Sequence, residues 1–451
     1  MIALLAAASL ASAPGEFSPS WQGDKQGQPL TLKEAVLLAR DHSFAVQASR
    51  TEIAASEAAR QQALDALMPT LGVQVSGSYG QLPEEPGLDS MSPIGQLVVG
   101  FPTDGSYADT TLQANVPIFD GFATRHALAV ADDQVKIDRL GLALAEQAAE
   151  TDAAIAYLQL LRARRLADVA SDAVVQAQEH LRLGNERLAT GIGTRAELLQ
   201  LQADLAHREV ALIQANNQVD AARLTLETDI HARLGDRPLD DQPLVPPLEP
   251  PAADPLEATL ERREDIRQQV LAEHASRERA SLDAAGYWPH VQAFGQYTER
   301  GTHLPLFAGG LTIDWQAFDG FLARDRIAQA RAEASADADR LAQLKRSAAL
   351  EVQLLEQSIG ECKERIPASR RALSSALEAY RIAAERYRLG FAVLADLLDA
   401  RTTLLDARTG YINAIYDLRE AQIRLARAQG LDLAAYLAPG ADRKGAGRGD
   451  P

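Results

Sequence analysis

The stretch Leu181 to Leu205 (LRLGNERLATGIGTRAELLQLQADL) recurs in outline at Tyr380 to Leu404 (YRIAAERYRLGFAVLADLLDARTTL). Arg187, Gly191, Glu197 and Leu198 of the first are matched by Arg386, Gly390, Asp396 and Leu397 of the second. The same register links Phe119-Asp120-Gly121, followed by Arg125, to Phe318-Asp319-Gly320, followed by Arg324. Further upstream, a helical stretch ending in Met68-Pro69 is echoed by one ending in Trp288-Pro289. Repeats of this length are supersecondary units used twice, and one unit alone cannot bury its own apolar faces. Each half therefore reads as helix, strand, strand, helix, helix, with the repeats at 31–234 and 255–437.

Composition narrows what those units are. Only 5% of the residues are aromatic although 46% are hydrophobic, and Ala, Leu, Glu, Arg and Gln dominate, as in long helices packed along narrow seams of small residues. The net charge of -17 argues against nucleic acid, which demands a clustered Lys/Arg footprint. Here the arginines alternate with acids along helical faces, the pattern of a solvated surface. The single cysteine, Cys362, excludes an intramolecular disulfide and a cysteine-cluster metal site. The eight histidines are scattered, and no Ser/His/Asp or Gly-rich phosphate pattern occurs. Neither an enzyme nor a cofactor or metal protein is expected.

Residues 1–13 (MIALLAAASLASA) read as a secretory signal, an apolar run ending in small residues, although its charged leading region is missing. Nothing later reaches the roughly 18 uncharged apolar residues of a membrane helix. A secreted chain without one is either soluble or crosses a membrane as a β-barrel. Four segments suit the second option. Between Leu71 and Tyr79, Val73, Val75, Gly77 and Tyr79 alternate with Gln74, Ser76 and Ser78; between Thr110 and Ile118, Leu112, Ala114, Val116 and Ile118 alternate with Gln113 and Asn115. In the second half Val291, Ala293, Gly295 and Tyr297 oppose Gln292, Gln296 and Thr298, while Leu311, Ile313 and Trp315 oppose Thr312, Asp314 and Gln316. Runs of about nine residues cross a bilayer as tilted strands. Val73, Val75, Val116, Ile118, Val291, Ile313 and Trp315 are the candidates to face lipid. Periodicity alone also fits a half-buried soluble hairpin. Since a closed barrel needs about eight strands, either several chains contribute or the sheet stays open.

From Thr124 to about Ala189, and from Ala323 to about Leu389, apolar residues recur at helical spacing, and Pro367 is the only proline. Each segment would extend about 100 Å if unbroken, and Pro367 is expected to kink or break the second. Both turn at glycine, Gly191 or Gly390, and return to about Leu234 and Gln429 as antiparallel hairpins. One shorter helix precedes each first strand, at Thr31 to Leu67 and Pro255 to Gly286. The proline-rich 235–254 segment is expected to be a semi-rigid linker, and 438–451 a disordered tail.

The duplicated order of elements, the helix-Pro-strand junctions, the Phe-Asp-Gly turns and the paired glycine tips together resemble the TolC-like outer-membrane efflux proteins, over about Leu30 to Leu437. That resemblance implies a mainly α fold with a small β part. It implies a homotrimer in which four strands per chain complete a twelve-stranded barrel in the outer membrane of a Gram-negative bacterium. The hairpins would continue it as a long periplasmic α-helical barrel. The implied function is the passive exit duct of a tripartite efflux or type I secretion system. Its implied partners are outer-membrane lipid, a periplasmic adaptor (membrane fusion) protein and an inner-membrane pump of RND, ABC or MFS type. By the same resemblance Asp396 and Asp399, six and nine residues after Gly390, ring the periplasmic entrance and bind cations. Tyr387 matches a tyrosine linked to an acid, and Glu197 stands where that acid belongs. Gly191, Ile192, Gly390 and Phe391 would meet the adaptor. Asp396 and Asp399 also suit a plain helix N-terminus, where the dipole favours acids. One departure is visible: the family's locking arginine two residues after the tip glycine is Ala392 here, and Gly193 in the first repeat. The rival reading, a coiled-coil envelope scaffold without a pore, leaves the four alternating segments unexplained.

Overall fold

A computed structural model describes residues 29–81, 104–235, 237–240, 256–300 and 304–437. The expected signal, the tail, most of the linker and much of the first strand connection lie outside the described residues. The first half comprises α1 (Leu32–His42), α2 (Phe44–Asp65), β1 (Thr70–Gln81), β2 (Asp104–Phe119), α3 (Ala123–Ala189) and α4 (Arg195–Asp229). The second comprises α5 (Leu256–Arg262), α6 (Glu264–Ala285), β3 (His290–Arg300), β4 (Leu304–Asp314), α7 (Leu322–Arg388), α8 (Leu394–Ala428) and the short α9 (Leu433–Tyr436).

The duplication is exact in length where it matters. Both α3 and α7 have 67 residues, and α4 and α8 have 35 each. The turns entering α3 and α7 also match. Gly121 and Phe122 adopt φ of 67° and 69°, and Gly320 and Phe321 adopt 70° and 72°, so each turn spends two residues in the left-handed region that resists a side chain. A Cβ on Gly121 would lie 2.6 Å from the Ala285 carbonyl oxygen. The aspartate of each turn caps the following helix: Asp120 Oδ2 accepts from Thr124 N at 2.7 Å and Asp319 Oδ2 from Ala323 N at 2.6 Å.

Several expectations need correction. The helix expected over Thr31 to Leu67 is two, parted at Ser43, and its counterpart is parted at Arg263; both residues take extended backbone. Charge at the second break explains it, since basic Arg262 ends α5 and acidic Glu264 and Asp265 begin α6, each favoured by the local helix dipole. Helix α7 runs on through Pro367 instead of breaking there. A proline removes one donor, and the bonds on either side keep the helix whole. Trp315 lies beyond the end of β4, and its indole N–H donates to the Tyr287 carbonyl at 3.2 Å. Ile118 is the extra residue of a bulge, because Pro117 faces Gln292 while Phe119 faces Val291. Pro117 offers no N–H to the ladder, and prolines inside sheets are confined to such irregular places.

By contact density the described residues form two compact units, each drawing on both repeats. Of the described residues, one unit holds those up to 47, those between 145 and 240 and those between 350 and 437; the other holds those between 48 and 144 and between 256 and 349. In the first, the main core gathers Leu30, Val36, Tyr157, Leu226, Tyr416 and Ile423 with many alanines, the small-residue seam expected from composition. Leu30 and Leu239 form a parallel bridge, and the Tyr157 hydroxyl donates to both the Leu30 and Asp240 carbonyls at 2.8 and 3.0 Å. In the second, the four strands form one antiparallel sheet ordered β1-β2-β3-β4, so β2 and β3 join the two repeats. Among the described residues no helix is long and apolar enough to cross a membrane.

Candidate functional site

Register decides which residues share a face of the sheet. Val73 pairs with Leu112, Leu112 with Tyr297, and Tyr297 with Phe307; Val116 pairs with Ala293 and Ala293 with Leu311. Paired residues point the same way and alternate with their neighbours. All four apolar runs therefore fall on one face, with Val291 opposite Ile313 at its end. That face is bare within the chain: Val75 is 69% exposed, Ile313 67% and Phe307 82%. The other face carries amides and hydroxyls bonded to each other. The Thr111 and Thr298 hydroxyls lie 3.1 Å apart, Gln113 donates to Asn115 at 3.1 Å, and Gln296 donates to Thr298 at 3.1 Å. Phe294 also lies on that face, its ring filling the space a side chain on Gly310 would take.

The hairpin tips belong to the other unit. Both helices end in the same glycine motif. Ile192 N bonds Arg187 O at 2.9 Å and Gly191 N bonds Leu188 O at 3.1 Å; Phe391 N bonds Arg386 O at 2.8 Å and Gly390 N bonds Tyr387 O at 3.1 Å. With φ of 75° and 81°, Gly191 and Gly390 occupy the left-handed position that closes such a cap. Beyond the glycines Ile192, Phe391 and Val393 stand exposed, while Leu201, Tyr387, Leu394 and Leu397 make a buried seam. Asp396 and Asp399 are both exposed near the start of α8.

Two side chains do something other than what sequence suggests. Glu197 is half-buried and completes a capping box: Thr194 Oγ1 accepts from Glu197 N at 3.1 Å, and the Glu197 carboxylate accepts from Thr194 N at 3.2 Å. Tyr387 is buried, burial pushes its hydroxyl upward in pKa, and among the described residues that hydroxyl has no hydrogen-bond partner. The expected bond between Tyr387 and Glu197 is thus not formed inside one chain. Arg187 holds the second tip instead. Its guanidinium lies 4.7 Å from the centre of the Tyr387 ring and donates to the Tyr387 carbonyl at 2.7 Å, covering a carbonyl in the last turn of α7. The repeat marked Arg187 and Arg386 as equivalent, so the sequence did point to this residue, but not to its reach across hairpins.

Among the described residues no group of three or more His, Cys, Asp or Glu side chains could hold a metal ion. The arrangement has the parts of a conduit: an exposed apolar sheet face backed by a polar one, and long hairpins with paired, acid-bearing tips. Comparison with known proteins agrees. A family model described as outer membrane efflux protein matches residues 36–229 and 256–431, the two repeats. The outer membrane efflux protein BepC of Brucella suis is 24% identical over 337 residues, 71% of each chain. The outer membrane protein VceC of Vibrio cholerae is 20% identical, with a TM-score of 0.76 over 89% of this chain and 96% of that one. The CmeC outer membrane channel of Campylobacter jejuni is 16% identical, with a TM-score of 0.77 over 88% and 85%.

Proposed function

The chain belongs to the outer membrane efflux protein family, and on that premise we propose that three copies build one passive exit duct through the outer membrane. The observation that carries the assembly is the sheet. Each chain supplies four strands, and among the described strands β1 and β4 each have a partner on one side only. A free edge is a template for another chain, and within lipid it must be paired. Pairing β4 of one copy with β1 of the next around a ring closes twelve strands, more than the roughly eight that a filled barrel needs. Val73, Val75, Val116, Val291 and Ile313 then face lipid, with Ile118 and Trp315 at the end of that band, and the amide face lines water.

Each repeat, 31–234 and 255–437, contributes one strand hairpin and one helical hairpin, the latter forming the periplasmic tunnel. At its entrance three copies bring together six carboxylates from Asp396 and Asp399, with Tyr387 and Glu197 close behind. Crowded carboxylates favour bound cations that offset their repulsion. The exposed tip residues Ile192 and Phe391, beside Gly191 and Gly390, are the surface for a periplasmic adaptor that joins the duct to an inner-membrane pump. The duct itself performs no chemistry.

Replacing Val75 and Val116 together with Arg tests the facing, at about 2 to 4 kcal/mol per charge near the bilayer midplane. The double variant should lose the membrane-inserted, detergent-resistant oligomer while circular dichroism still reports its helices. Gln74→Arg with Asn115→Arg, on the opposite face, should still insert. Equal tolerance of the two pairs would refute the assignment.

A further inference from the structure

A cleft of about 750 Å³ opens among α3, α5, α6 and α7, and all the residues that line it belong to the unit that carries the sheet. That volume suits one molecule of drug-like size. Its floor is apolar, made of Leu140 from α3, Leu260 from α5, and Ile266, Val270 and Leu271 from α6. Val270 remains 42% exposed there, so the chain itself does not fill the space.

The charges around that floor divide into two sets. Lys136 and Arg139 are already used, the first bonding Asp133 at 2.9 Å and the second Glu57 at 2.8 Å. The other four are not. Arg267 of α6, Lys345 of α7, and Glu257 and Glu261 of α5 are exposed and enter no ion pair or side-chain hydrogen bond among the described residues. Elsewhere in this unit pairing is common, as between Arg60 and Asp132, or between Arg340 and Asp337 at 2.6 Å. Two cations and two acids that share one cleft without meeting are spaced for something that lies between them. Glu257, Leu260 and Glu261 fall on one face of α5, and Arg267 and Leu271 on one face of α6, so both walls set charge beside an apolar contact.

An organic anion would answer the basic pair and meet the acids; an organic cation would do the reverse. A neutral amphiphile would answer neither pair. A head bearing both charges, joined to an apolar tail, satisfies all four groups and the floor. Position decides the kind of tail. About 20 Å of helix separates Lys136 from the start of α3 beside the sheet. With the sheet in the bilayer, a lipid seated there does not reach the cleft, whereas a single-chain amphiphile arrives through water.

We propose that this cleft binds one single-chain zwitterionic amphiphile per protomer, its anionic group on Arg267 and Lys345, its ammonium group on Glu257 and Glu261, and its chain over the leucines. Only the choice of one chain over a bilayer lipid rests on the membrane reading; the site itself stands apart from the duct.

The test is calorimetric titration of the intact oligomer with octylphosphocholine below its micelle-forming concentration, in nanodiscs of phosphatidylglycerol, which has no ammonium group, after subtracting the heats of empty nanodiscs. Binding should saturate near one molecule per chain. Arg267→Gln with Lys345→Gln, and separately Glu257→Gln with Glu261→Gln, should each weaken it roughly tenfold. Octyl sulfate should bind less tightly, and octyl glucoside least. Where a double variant does not assemble, Lys345→Gln or Glu261→Gln alone should still weaken binding. Absence of saturable binding, as when a second copy of the chain covers the cleft, overturns the site. So does binding that all three heads share equally, or that assembled variants leave unchanged, because apolar adsorption alone would account for it. Nanodiscs of phosphatidylcholine separate the two readings: undiminished affinity keeps bilayer lipid out of the cleft, and competition by that lipid would overturn the single-chain choice and the placement of the cleft outside the bilayer.

Discussion

The turn at Gly191 and the turn at Gly390 share the two bonds that close the glycine cap, although Gly193 N adds a second bond to Arg187 O that Ala392 does not repeat, and different chemistry surrounds them. The first tip starts its return helix with a full capping box, Thr194 with Glu197. The second starts with Val393, which offers no side-chain cap, and carries exposed Asp396 and Asp399 in place of the box. Arg187 and Arg386 occupy equivalent places, but only Arg187 is drawn in across the other hairpin's last turn, while Arg386 stays exposed. Duplication fixed the path of the chain and divergence separated the roles. The first tip caps its own return helix, and the second is held at its last turn by Arg187 of the first.

That asymmetry is open to direct attack. Arg187→Ala removes a charge-assisted hydrogen bond and the cation over the Tyr387 ring, together about 1.5 to 3 kcal/mol per protomer. It should loosen the second tip, seen as faster proteolysis near Gly390 and greater resting conductance. Arg386→Ala should change neither. Equal effects would mean that the hairpins hold each other symmetrically. A smaller effect concerns the caps. Thr194→Ala should destabilise the first tip by about 1 kcal/mol, whereas Val393→Thr should stabilise the second by a similar amount by giving α8 an N-cap. Hydrogen exchange of the first-turn amides of α4 and α8 reads both changes. Slower exchange in α8 without any fall in resting open probability would separate capping from gating.

Much of this was legible in the residues. Glycine spacing located both tips, and period-two alternation found all four strands with their apolar residues on one shared face. What escaped has identifiable causes. The breaks at Ser43 and Arg263 interrupt good helical patterns, and neither carries a Gly or Pro to announce it. The bulge at Ile118 shifts the register only once β2 is set beside β3, although Pro117 was a hint. The Asp204–Arg401 pair joins residues 197 apart in sequence. On a helical wheel each looks like one more surface charge. Only the approach of two hairpins turns them into a buried pair.

The central claim is that Asp396 and Asp399 from several copies converge on the entrance of a membrane duct. Its most direct test is conductance of the purified protein in a planar bilayer, with a trivalent cation such as hexamminecobalt added on the tip side. The account predicts a small cation-selective conductance that the trivalent ion blocks, and loss of that block in Asp396→Ala with Asp399→Ala. A conductance blocked equally well in parent and double variant would place these acids outside the permeation path and contradict it.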